Sequence, residues 1–261
     1  GFTPVGTTLL AGSVVAYNAA GAQTVMSTLS YSSLAIQGTG TKSLNGPTNI
    51  SQTLMLQAGA STLDTTSGSN WPISTDQIFF QGGTLTANSS IITVSGTNGN
   101  PINYAAGTFN AGTSTVMYTG NNPGGSTLIT TSISFYDLTV NNGFETYTIG
   151  GPFTIPVAGT LTVLAGTFNT AGHSVSSGHI AIGNPAVAVF LANGSPITVS
   201  GTGGTLLSRG VAGSFTAGTS SVTLSGNGAA IAINGSFTGT SAFNTFTSSG
   251  TGIKSLVGNM E

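Results

Sequence analysis

Apolar and polar residues alternate along most of this chain in runs of four to six, with Gly and Asn between the runs. Thr160-Leu161-Thr162-Val163, Ser221-Val222-Thr223-Leu224 and Ala186-Val187-Ala188-Val189-Phe190-Leu191 are clear cases. A period of two puts alternate side chains on opposite faces of a strand, and no stretch shows the 3.6 period of an amphipathic helix. Pairs such as Asn98-Gly99, Asn142-Gly143 and Asn227-Gly228 supply residues that reach positive φ cheaply. The pattern predicts short strands and frequent turns throughout, an all-β chain.

The strands recur in a long repeat. Gly107-Thr-Phe-Asn-Ala-Gly-Thr-Ser-Thr-Val116 matches Gly213-Ser-Phe-Thr-Ala-Gly-Thr-Ser-Ser-Val222, and Ile92-Thr-Val-Ser-Gly-Thr97 matches Ile197-Thr-Val-Ser-Gly-Thr202. Both offsets are close to 106 residues. A further copy at twice that offset relates Gly38-Thr-Gly-Thr-Lys-Ser-Leu44 to Gly250-Thr-Gly-Ile-Lys-Ser-Leu256, which places Lys42 and Lys254 at one repeat position. The division that follows is a tail of a unit over 1–30, repeat units over 31–136 and 137–242, and a partial third unit over 243–261.

Apolar strand centres at Leu34, Leu54, Phe79, Val94, Val116, Leu138, Leu161, Ile180, Val199 and Val222 lie roughly 15 to 25 residues apart. This spacing suits the coils of a β-solenoid resembling a parallel β-helix, where each coil buries its inward face against its neighbours. Tandem β-sandwich domains of about 100 residues are the alternative. Both readings predict Leu54, Leu138, Leu161, Val199 and Val222 in the core.

Charge narrows the functions. The 261 residues contain three Lys and Arg and five Asp and Glu, a net charge of −2, against the roughly one quarter of charged residues in ordinary domains. Three scattered cations cannot neutralise a row of phosphates, which excludes nucleic-acid binding. No run approaches the ~18 apolar residues of a membrane helix. Without cysteine there is neither a disulfide framework nor a thiolate metal site. Residue 1 is Gly, and the chain reads as a mature form or fragment.

Candidate chemistry is sparse. His173 and His179 flank Gly178 as a conceivable metal pair, but a third ligand is lacking and Glu145 is the nearest acid in sequence, so turn histidines are the simpler reading. Asp64 and Asp76 bracket Trp71 in the manner of a glycosidase carboxylate pair beside an aromatic platform; the plainer reading is turn-capping acids around a packed Trp71-Pro72. Thr160, Thr162 and Thr167 would form an ice-binding face if they lay flat on one side, although β-propensity alone explains them. No catalytic, cofactor or metal site is expected, and the chain reads as a non-enzyme. Asn49, Asn88, Asn193 and Asn234 head N-x-Ser sequons and are possible glycosylation sites.

The segments Phe135-Tyr-Asp-Leu-Thr-Val-Asn-Asn142, Gly159-Thr-Leu-Thr-Val163 and Gly213 to Val222 resemble the Gly/Thr/Asn-rich repeats of secreted bacterial surface proteins of the adhesin or autotransporter-like β-solenoid kind. The resemblance implies an extracellular or cell-surface protein that adheres, coats or assembles. The first expectation is a structural subunit of a filament or surface layer, a homopolymer joined head to tail through open β-edges at Leu9, Leu10, Val14, Val15 and Tyr17 and at Leu256 and Val257. The alternative is an adhesin that binds glycans or a surface through Trp71 and Tyr104. A polysaccharide-active β-helix enzyme is the third, set against by the lack of clustered acids and bases.

Overall fold

The computed structural model describes residues 11–258 apart from 67, 98–99, 123–126, 184, 229 and 239–240. It is all-β, with no α-helix among the described residues, and falls into two compact units, residues 1–115 and 116–261. Each is a β-solenoid whose strands pair in parallel with the coil before and the coil after. Parallel pairing displaces the tandem-sandwich alternative, because the sheets of a sandwich are antiparallel.

In the first unit, Val14–Tyr17, Tyr31–Ile36, Thr48–Leu56, Ile73–Thr86 and Ile102–Asn110 stack in order. Leu34, Leu54, Ile78 and Ile102 share one register column. All four are buried. A second column of strands, Gln23–Val25, Gly40–Leu44 and Ser61–Asp64, runs into the far half of Ile73–Thr86. Phe79 lies in Ile73–Thr86 as a strand residue but is half-buried, while Ile78 and Phe80 point inward. Three consecutive apolar residues leave the phase of a strand ambiguous, and the register with Leu54 and Leu56 decides it.

In the second unit, Asp137–Ile149, Thr160–Asn169, His179–Ile182 and Ala188–Leu191 lead into Gly204–Arg209, Gly213–Thr216, Ala230–Asn234 and Ile253–Val257. A separate five-stranded sheet joins Phe153–Thr154, Val175–Ser177, Pro196–Val199, Ser221–Leu224 and Thr245–Ser248. Leu138, Leu161, Val199 and Val222 are buried, as is Leu54 in the first unit. Inside the coils Phe135, Phe153, Phe168, Phe190 and Phe215 form a file with ring centroids 5.2 to 6.0 Å apart. Coil length varies from 19 residues, Val15 to Leu34, to 27, Ile180 to Leu207.

The copied motifs adopt matching local structures. Ile91–Val94 and Pro196–Val199 are four-residue strands with the same order of exposed and buried positions, as are Thr115–Tyr118 and Ser221–Leu224. The Ala-Gly-Thr-Ser that precedes the latter pair is a tight corner in both copies, closed by Ser114 N donating to Ala111 O and by Ser220 N donating to Ala217 O. At the second position Gly112 has φ +58° and a Cβ there would meet Asn88 O at 2.3 Å. Asn88 and Asn193 hold the corresponding place in other coils with φ 52° and 50°, a conformation Asn tolerates better than most residues. One corner per coil therefore uses the same turn chemistry.

Candidate functional site

The acidic residues are mostly tied to turns. Asp64 accepts from Thr66 N and Asn88 Nδ2, both at 2.8 Å. Buried Asp76 accepts from Thr97 N at 2.7 Å and from the hydroxyls of Ser95 and Thr97. Buried Glu145 accepts from Asn122 N and Thr127 N, at 2.9 and 2.7 Å. A buried carboxylate needs such donors to offset its lost hydration. The bonds above tie Asp64 and Asp76 to different residues, and Trp71 sits half-buried after the turn that its N closes on Thr65 O. The packed-turn reading of this segment fits these contacts better than a carboxylate pair.

His173 lies in a corner and His179 in a strand of the larger sheet. His173 N donates to Thr170 O in a corner before Val175–Ser177, whereas His179 opens His179–Ile182 and contacts Thr205 O through Nδ1 at 3.1 Å. Among the described residues no three His, Asp or Glu are grouped to hold a metal. His179 is the register partner of Thr160 on the adjacent coil. Asp137 accepts from Thr160 N at 2.6 Å. Burial raises the pKa of its carboxyl above the usual carboxylate range, opposed by that N–H and by the nearby imidazole.

Register also decides the threonines. Thr160 stacks between Asp137 and His179, Thr162 between Thr139 and Ala181, and Thr167 between Thr146 and Val189. These mixed columns make no flat threonine face, which corrects the ice-binding expectation at those three positions. The hydroxyl face lies on the five-stranded sheet instead. Thr154, Ser176, Thr198, Thr223 and Thr247 occupy one outward column on five consecutive coils, flanked by Pro196, Ser221 and Thr245. Inward neighbours Phe153, Val175, Ile197 and Val222 fix their orientation by alternation. No strand of this sheet carries a charge.

The ladder's sequence signal is a tetrapeptide with Thr or Ser third: Pro152-Phe-Thr-Ile155, Ser174-Val-Ser-Ser177, Pro196-Ile-Thr-Val199, Ser221-Val-Thr-Leu224 and Thr245-Phe-Thr-Ser248. The first unit has a shorter relative, the column Asn49, Ser74, Thr93. It borders a shallow groove of about 430 Å³ that Asp76 and Ser95 also line.

The sequon asparagines differ. Asn49, Asn193 and Asn234 are exposed, but Asn88 is half-buried, with its amide given to Asp64 and Thr65. Tyr104 is partly exposed, with its hydroxyl on Gly107 O and its ring 5.9 Å from that of Phe80. Of the expected assembly edge, Leu9, Leu10 and the Leu256 side chain lie outside the described residues. Val14 and Val257 are each 56% exposed, whereas Val15 and Tyr17 are half-buried and the Tyr17 hydroxyl meets that of Tyr31 at 3.0 Å. Lys42 is fully buried, and its Nζ donates to Ala19 O, Gly21 O and Thr39 O, while Lys254 reaches Gly250 O and Thr251 O. The shared repeat position is thus a lysine clasping its own turn, a role that charge alone did not reveal.

No protein family, curated protein or solved structure matches this chain. No helix among the described residues is long and apolar enough to cross a membrane.

Proposed function

We propose that the chain is a non-catalytic adhesive module of an extracellular or cell-surface protein, which lays its hydroxyl face on a neutral polysaccharide. The observation that carries this reading is the ladder Thr154, Ser176, Thr198, Thr223, Thr247. In-register coils repeat its rungs about every 4.8 Å, the spacing of paired strands. A hydroxyl both donates and accepts, so a regular array of them matches a polymer that carries many hydroxyls and no charge. Individual contacts of this kind are weak, and a row of them held by a rigid stack adds up through multivalency. The measurement is depletion from solution by insoluble neutral polysaccharides. Thr198→Tyr combined with Thr223→Tyr, which breaks the flat face without entering the core, is expected to weaken binding tenfold or more at unchanged circular dichroism. Equal binding by the variant, or no binding of the parent protein to any neutral polymer, overturns the proposal.

Exposed Ile253 and Val257 on Ile253–Val257, at 74% and 56%, favour a second reading in which copies stack through that strand into a filament. Negative-stain microscopy of the protein and of an Ile253→Lys, Val257→Lys variant decides it: fibres from the parent alone support stacking, and fibres from both or neither rule it out.

A further inference from the structure

The column Val163, Ile182 continues on the next coil not with another aliphatic residue but with Arg209. The guanidinium is half-buried, with Cζ 5.9 Å from the centroid of the Phe237 ring. Nε donates to Ser236 O at 2.6 Å and Nη1 to Gly213 O at 2.8 Å. These bonds engage two of the five N–H donors of an arginine. No described residue offers it a carboxylate. A partly desolvated cation whose charge is answered only by carbonyl dipoles and an aromatic face retains a strong attraction for an anion.

Arg209 also lines a cleft of about 130 Å³ together with Ser208, Asn234, Thr162, Leu164 and Ala181. Ser208 and Asn234 add neutral donors, and Leu164 with Ala181 gives an apolar wall. Lys42, by contrast, is buried with its ammonium on three carbonyls. The protein's only arginine thus faces an open cleft.

We propose that this cleft binds an oxyanion, carboxylate or sulfate, carried on a saccharide. The planar fork of the guanidinium suits either group, the hydroxyl and amide suit ring hydroxyls, and the apolar wall suits the C–H face of a sugar ring. The oxyanion rests on Arg209 alone, while the choice of a saccharide carrier rests on the adhesive reading above. A polymer bearing both neutral and acidic sugars would engage the ladder and the cleft at different points.

A single arginine gives a single Nε–H resonance, which reports on the cleft in the unaltered protein. The experiment titrates it with glucuronate, a sulfated monosaccharide, acetate, inorganic sulfate and glucose, each against sodium chloride at matched ionic strength. The expected result is a saturable shift with glucuronate or the sulfated sugar, at least fivefold tighter than with acetate or inorganic sulfate, and no shift with glucose. Arg209→Gln should abolish glucuronate binding followed through the amide resonances of Ser208 and Asn234. Shifts that track ionic strength without saturating overturn the site. Equal affinity for acetate and glucuronate overturns the saccharide assignment, and undiminished binding by a folded Arg209→Gln protein removes the arginine from it. If that variant does not fold, the titration of the unaltered protein still decides. Neutral-polymer binding through Thr198 and Thr223 is a separate readout, so either proposal can fail without the other.

Discussion

The ring of Phe190 lies over that of Phe215 with centroids 5.4 Å apart and planes 20° from parallel. The two residues are register partners on adjacent coils, and both are buried. Each ring thus covers its neighbour's face in a file that also includes Phe168, at 5.2 Å. Phe190→Ala leaves a hole in the middle of this file that the flanking coils cannot close, because their backbone ladders fix the spacing. The expected loss is about 3–5 kcal/mol in denaturant unfolding. A loss below about 1 kcal/mol would show that the file is not a source of stability.

Alternation in Thr160-Leu161-Thr162-Val163 was enough to place Leu161 inside, and the structure buries it. Leu161→Asp should therefore abolish cooperative unfolding or lower the melting temperature sharply, since an unpaired carboxylate would enter a dry stack. Unchanged melting would refute the inward phase of that strand. The same alternation could not say which outward residues become neighbours. Coils of 19 to 27 residues have no fixed period, so Thr160 meets Asp137 and His179 while Thr198 meets Ser176 and Thr223. Local pattern sets the face, and only coil length sets the ladder. Arg209 shows the same limit, because its cleft joins residues from four coils.

The contacts of the carboxylates bear on catalysis. Asp76 Oδ1 accepts from Ser95 Oγ, Thr97 N and Thr97 Oγ1, and Glu145 accepts from Asn122 N and Thr127 N. Both carboxylates are thereby occupied in holding local structure. Assays on pectin, alginate and neutral glycans should show no turnover. Cleavage that His173→Ala or Asp76→Ala removes would overturn the non-catalytic reading.

Three tyrosines set the behaviour in alkali. Burial raises the pKa of the Tyr31, Tyr118 and Tyr147 hydroxyls above the ordinary phenol range. The Tyr17 hydroxyl adds to this at Tyr31, Tyr147 at Tyr118, and the Glu145 charge at Tyr147. Above about pH 10 the unfolded chain loses these protons while the folded chain keeps them, so stability falls as pH rises, by at most about 1.4 kcal/mol per pH unit for each. Lys42 acts in the opposite sense at lower pH: burial lowers its pKa, and its cost fades as pH approaches the unfolded value of about 10.4. Melting temperature should hold or rise slightly up to about pH 10 and then drop. Tyrosinate absorbance from more than three of the six tyrosines ahead of unfolding would contradict the burial of these hydroxyls.

Asn88 Nδ2 lies 2.8 Å from Asp64 Oδ1 and 3.1 Å from Thr65 Oγ1, joining the corners of two successive coils. Asn88→Asp keeps the shape and tolerates the φ of 52°, yet it turns the donor into a second carboxylate facing the first. Two carboxylates at that distance cannot both ionise cheaply, so one folded-state pKa rises above its unfolded value of about 3.9. A raised folded pKa means that the variant holds its stability below that value and loses it as pH rises. The expected cost at neutral pH is about 1.5–3 kcal/mol, the range for a hydrogen bond to a charged group. It should shrink towards zero below about pH 4, where a shared proton restores a donor between the two oxygens. Equal destabilisation at both pH values would mean that the contact between the corners is steric, with no part for the amide proton.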